Sequence, residues 1–150
     1  MGKDVPLAAN RSSEGFENAV TGKWKLNVAK SRFELSAALR SATSEFERSS
    51  DGWKASQELI GFGNGQVHRI EVPFLKFDGK DYPLAGQPNA TWALIRIDDR
   101  TYDLIAKVDG NIILISHNVV SPDNRTRVST STVTDTEGKT FANITVWERL

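Results

Sequence analysis

Few residues in this chain have the chemistry to move a proton or hold a ligand. Histidine occurs at positions 68 and 117, and cysteine does not occur. Thiolate nucleophiles, disulfides and cysteine metal sites are thereby excluded together. His68 and His117 each fall inside a strand-like run, where a lone imidazole commonly serves as a surface group or a hydrogen-bonded core group. In a dry pocket the same ring acts as acid, base or ligand. No His-x-His or His-x-x-x-His spacing is present, and zinc normally takes three or four Cys, His or carboxylate ligands, so no metal is expected. The stretch Phe77-Asp78-Gly79-Lys80-Asp81-Tyr82-Pro83 brings a carboxylate, an amine and a phenol close together. Asp-Gly followed by Tyr-Pro reads first as a turn with the tyrosine packing back. At a pocket mouth the Tyr82 phenol would donate to a ligand oxygen. If the chain is an enzyme, its acid–base candidates are His68, Tyr82, Arg96 and His117. The motifs of serine hydrolases, phosphate loops, zinc peptidases and dinucleotide sites are all missing. Hydrolytic and nucleotide-dependent classes fall away, and no cofactor is expected.

The elements that must position these groups are strands. Runs rich in β-formers cover 22–28, 43–49, 53–60, 66–77, 92–97, 101–108, 112–121, 125–134 and 141–150. Between them stand Asp51-Gly52, Gly63-Asn64-Gly65, Asp98-Asp99-Arg100, Asp109-Gly110, Pro122-Asp123-Asn124 and Glu137-Gly138, short enough to make neighbouring strands antiparallel. The expected fold is all-β: a single antiparallel meander barrel of about 8–10 strands over 21–150. Residues 1–20 form an arm in which Ser13 to Val20 reads as a short helix, a lid or plug capped by Ser12 or Ser13. The segment 29–40 breaks the rhythm, and Glu34 to Arg40 reads as one or two helical turns.

Alternation suggests the inner faces. In 101–108 the apolar set is Tyr102, Leu104, Ala106 and Val108. In 112–120, Ile112, Leu114 and Val120 lie on one face and Ile113, Ile115 and Val119 on the other, so both faces are expected to be covered. The Ser- and Thr-rich run 125–134 suits a wet interior or a solvated edge. Four tryptophans, at 24, 53, 92 and 147, supply the chief aromatic surface. Trp92 shares a strand face with Arg96, and Trp147 shares one with Asn143 and Thr145. Apolar walls mixed with a few polar groups are what small-molecule pockets present.

The chain has 150 residues, enough for one sizeable core, and its 19 Lys and Arg balance 19 Asp and Glu. With no net positive field and no basic–aromatic interleaving, nucleic acid is not an expected partner. The longest apolar run, 112–115, is far too short to span a bilayer as a helix. The first residues carry no apolar signal region. The expectation is a cytoplasmic protein if the chain is full length, and a periplasmic or secreted one if a signal was removed.

Gly22-Lys23-Trp24 opens the first strand, and Val146-Trp147-Glu148-Arg149-Leu150 closes the last. This pair resembles the lipocalin and fatty-acid-binding superfamily, the calycins. Those barrels carry a Gly-x-Trp on the first strand and an Arg on the last, whose guanidinium covers the indole at the sealed end. The resemblance assigns Trp24 and Arg149 to closure. Residues 24–33, 77–86 and 121–123 are similar to a group of bacterial lipocalin-like proteins of no assigned function.

Two main readings follow. The barrel binds a small, largely apolar molecule, with Trp92, Tyr102, Leu104, Leu114, His117 and Trp147 as lining. Alternatively it is a cofactor-free isomerase, cyclase or dehydratase using the same cavity as its reaction chamber. A filled barrel serving protein contacts is the third reading.

Overall fold

A computed structural model describes residues 14–34, 39–61 and 66–150. The expected turn at 63–65 and the helix cap at 12 or 13 lie outside these residues. Helix α1 covers residues 14–20. Ten strands follow: β1 (Gly22–Phe33), β2 (Leu39–Ser49), β3 (Gly52–Gly61), β4 (Val67–Leu75), β5 (Tyr82–Leu84), β6 (Gln87–Asp98), β7 (Thr101–Val108), β8 (Asn111–Val120), β9 (Thr126–Thr134) and β10 (Thr140–Arg149). They form one antiparallel sheet in the order β4-β3-β2-β1-β10-β9-β8-β7-β6-β5. The sheet curls until its two end strands meet, where the Ala85 N–H donates to the Glu71 carbonyl at 2.8 Å. The result is a nearly closed meander barrel. Among the described residues no helix is long and apolar enough to cross a membrane.

Tight turns set the register. Between β7 and β8, Asp109 and Gly110 both take positive φ, 53° and 79°, which matches the twist of the flanking strands and tolerates Asp and Gly best. Two departures from the sequence reading have local causes. First, residues 29–33 continue β1 as strand instead of beginning an irregular segment. A wide bulge hides the alternation there: Asn27 pairs with Val146, and pairing resumes only at Arg32 opposite Ile144. The Ser31 hydroxyl fills the gap, donating to the Asn27 carbonyl at 2.7 Å and accepting from the Val146 N–H at 2.9 Å. Residues 39 and 40 belong to β2, and 35–38 lie outside the described residues. Second, the turn-rich stretch after β4 contains the three-residue strand β5, paired to β6 through Tyr82↔Trp92 and Pro83↔Thr91. Pro83 is tolerated because β5 is a sheet-end strand.

The core fills one end of the barrel. Phe16, Ala19 and Val20 of α1 pack against Trp24, Trp53 and Leu75. Phe16 meets Phe77 edge-on at 4.8 Å and Trp53 at 6.2 Å. Arg149 pins the helix in place, its guanidinium donating to the carbonyls of Asn18, Ala19, Thr21 and Asn124 while lying 4.4 Å over the Trp24 ring. Gly22 explains its own presence. Its φ is 120°, and a Cβ there would stand 2.6 Å from Arg149 Nη1.

Candidate functional site

Above this plugged end lies a cavity of about 370 Å³, within the range of small-molecule sites. Strand alternation divides its lining. β2 and β3 contribute Phe46, Ala55 and Leu59, β6 contributes Trp92, and β7 contributes Tyr102 and Leu104. β8 to β10 contribute Ser116, Asn118, Arg127, Ser129, Ser131, Asn143 and Thr145, with Leu114 and Trp147 among them. The cavity is thus apolar over most of its circumference and polar along one wall.

At its base sits Arg127, 4% exposed. The guanidinium lies between two indoles, 5.2 Å from the Trp24 ring and 4.8 Å from Trp147. Nη1 donates to Tyr102 Oη and Nη2 to Ser44 Oγ, each at 3.2 Å. Its Nε has no partner, and no ion pair among the described residues includes it. Burial pushes the Arg127 pKa down, with the neighbouring Tyr102 oxygen opposing. Burial likewise pushes the Tyr102 phenol up, against the pull of Arg127, so the phenol stays protonated. Arg149 is lowered by burial and then by the charge of Arg127. Two guanidiniums therefore flank Trp24 without a carboxylate between them.

The sequence-derived candidates separate cleanly. Trp92, Tyr102, Leu104, Leu114 and Trp147 line the cavity. Trp24 and Arg149 are register partners at the sealed end. None of His68, Tyr82, Arg96 and His117 is among the lining residues. His68 is exposed on β4. His117 is exposed on the outside of β8, with Nδ1 2.6 Å from Asp103 Oδ1, because the alternation that buries Ser116 and Asn118 turns residue 117 outward. The expectation that both faces of β8 are covered is corrected with it: Ile115 and Val119 are 46% and 43% exposed. A bulge leaves Ile113 without a register partner on β7 and at the cavity lining. Arg96 is on the inward face of β6 but beyond the cavity, bonded to Asp99 at 2.5 Å and stacked 4.9 Å over Phe16. Tyr82 donates back to Asp78 at 2.8 Å across its turn. Among the described residues no group of three or more His, Cys, Asp or Glu is placed to hold a metal.

Sequence reasoning missed Arg127. Its signal was parity: it shares a face with Ser129 and Ser131 in the very run read as suiting a wet interior.

The chain matches no family model and no curated protein in sequence. Among solved structures it is similar to the zebrafish ileal bile acid-binding protein complexed with cholic acid, at 14% identity and a TM-score of 0.54, covering 88% of this chain and 99% of that one. It is also similar to the Schistosoma mansoni fatty acid binding protein in complex with arachidonic acid, at 16% identity and a TM-score of 0.54, covering 88% and 96%. The likeness shows the fold that these structures share with this chain, an antiparallel meander barrel.

Proposed function

We propose that the barrel binds a small, largely apolar molecule carrying one acidic group, seated with that group against Arg127. The observation that carries this reading is the buried cation without a counter-ion at the foot of an apolar cavity. Removing a guanidinium from water costs several kcal/mol, and two indole faces return only about 0.5–2 kcal/mol each. A bound carboxylate would offset the rest through charge-assisted hydrogen bonds. Three donors are free to meet it. Arg127 Nε is unpartnered, and Tyr102 Oη and Ser44 Oγ accept from Arg127, which leaves both hydroxyl hydrogens to point elsewhere. The cholic and arachidonic acids of the two similar structures are both acids with large apolar bodies, which agrees with the same chemistry. The alternative of a reaction chamber has no such support, since the acid–base candidates lie outside the cavity.

The test is a titration of dodecanoate and dodecanol, followed by intrinsic tryptophan fluorescence, on the natural chain and on Arg127→Met. A hydrogen bond to a charged group contributes about 1.5–3 kcal/mol, so the acid should bind roughly 10- to 100-fold more tightly than the alcohol. Arg127→Met should remove that preference. Equal affinities in the natural chain, or no saturable binding of either, would refute the reading.

A further inference from the structure

The outer surface of the barrel is of two kinds. On β1–β4 the outward register rows are Lys23–Glu45–Ser56–Glu71 and Lys25–Thr43–Glu58–Arg69, mostly charged and tied by ion pairs such as Arg69–Glu58 and Lys54–Glu71. Such a surface stays in water. On the other half of the sheet the central outward row is Ile95–Asp103–His117–Thr130–Ile144, running from β6 to β10. To one side of it lies Val119–Val128–Val146, and to the other Ala93–Ile105–Ile115–Thr132. Ile95, Ile115, Val119, Val128 and Ile144 are each between 38% and 46% exposed. Within these three rows the ionisable side chains are Asp103 and His117, and they are bonded to each other at 2.6 Å.

Five strands at a spacing of about 4.8 Å and three rows at about 6.6 Å span roughly 24 by 20 Å, or about 480 Å². That is the scale of a patch that marks a contact surface on a soluble protein, well beyond scattered exposed side chains. We propose that this face is where a second copy of the chain packs, sheet against sheet across a two-fold axis near His117 and Thr130. Charge favours a copy over a foreign partner. A face whose ionisable groups satisfy each other offers nothing by which a partner of opposite sign would be selected, and it can be covered by its own kind without stranding an ion. The totals of Lys plus Arg and of Asp plus Glu, 19 each, leave no net repulsion between two copies. A two-fold contact is self-complementary by construction, and rows of β-branched side chains interdigitate when two sheets meet about 10 Å apart at about 30°. The patch is smaller than the roughly 800 Å² per partner of a stable interface. It therefore forms the apolar centre of a contact whose dissociation constant lies in the micromolar range.

The experiment is sedimentation equilibrium of the full chain from about 1 μM to about 1 mM, on the natural sequence and on Ile115→Lys, Val128→Lys and Thr43→Lys. The natural chain should pass from monomer to dimer with its midpoint in the micromolar range. Ile115→Lys and Val128→Lys should each weaken the dimer by about tenfold or more, since a two-fold contact meets every substitution twice. Thr43→Lys, exposed on β2 in the charged half, should change it by less than about twofold. A second readout does not depend on how the lysine variants fold. The chain has no cysteine, so Thr130→Cys carries its only thiol, and a short bismaleimide should join two such chains while leaving Thr43→Cys unjoined. A chain that stays monomeric to about 1 mM, a dimer that both lysine variants at 115 and 128 leave intact, or linkage through position 43 in place of 130 would overturn the proposal. So would a monomer that binds phosphatidylcholine vesicles and loses that binding in Ile115→Lys, an outcome that assigns the face to lipid.

Discussion

Truncating Arg149 to alanine should destabilise the barrel by about 3 kcal/mol, and the figure follows from its contacts. The side chain donates to four backbone carbonyls, those of Asn18, Ala19, Thr21 and Asn124, and covers the face of Trp24 at 4.4 Å. Buried bonds from a charged donor are worth about 1.5–3 kcal/mol each. Arg149 is only half-buried, and water can reach some of the freed carbonyls, so about 0.5–1 kcal/mol apiece is appropriate. Adding about 0.5–1 kcal/mol for the indole contact gives a total of about 2.5–5 kcal/mol, and the partial exposure of the side chain places the loss in the lower part of that range, about 3 kcal/mol. For a chain of this size that corresponds to a fall in Tm of about 6–12 °C. Urea unfolding followed by tryptophan fluorescence measures it. Hydrogen exchange should show residues 14–20 losing protection first, because the three α1-end carbonyls lose their donor. Arg149→Lys should recover little, since one ammonium cannot reach four carbonyls and cover a ring. Gly22→Ala should mimic the loss in part, its Cβ pushing into Arg149 Nη1 from a backbone at φ 120°. A loss below about 1 kcal/mol for Arg149→Ala, or full rescue by lysine, would refute the idea that this guanidinium holds the plug.

Two further outcomes follow from the geometry. His117→Gln should leave affinity for dodecanoate within about twofold, because its ring is exposed on the outer face of β8, and so should His68→Gln, because its exposed ring is not among the residues lining the cavity; a tenfold loss in either, measured by the same fluorescence titration, would contradict these placements. Acid should destabilise the fold through its turns. Asp123 is held below the usual carboxylate range by the Ser121 hydroxyl and the Arg125 N–H, and Asp98 by the Arg100 N–H and the Thr101 hydroxyl. A carboxylate whose folded pKa is depressed contributes stability above its unfolded value and loses that contribution as pH falls through the folded one. Stability should thus decline below about pH 4, and Asp98→Asn with Asp123→Asn should flatten that decline. An unchanged acid slope in the double variant would show that these turns do not carry it.

The fold was legible because its signals are local: alternation within each run and a tight turn between runs. Where a local signal was overridden, the reading slipped. The β1 bulge inserts residues that destroy alternation while Ser31 keeps the backbone bonded, and β5 is short and contains a proline. The cavity was harder for a different reason. On β8 the apolar count was even, with isoleucines and valines on both faces, so hydrophobicity alone could not choose a side. The buried face turned out to hold Ser116 and Asn118, and the solvated one Ile115 and Val119. β9 shows the same inversion, with Val128 38% exposed while Arg127 and Ser129 are each 4% exposed. The inward polar groups bond mainly to one another and to backbone carbonyls, a network that replaces apolar packing along this wall. Buried polar groups are a cost only where they lack a partner, which among the described residues is Arg127 Nε, and those on β8 and β9 all line one cavity. The failure of the hydrophobic rule on two adjacent strands is therefore itself the sequence's pointer to the site. Had β8 and β9 been paired and their Ser, Asn and Arg positions assigned inward, Arg127 would have emerged from sequence alone as a buried cation facing the interior.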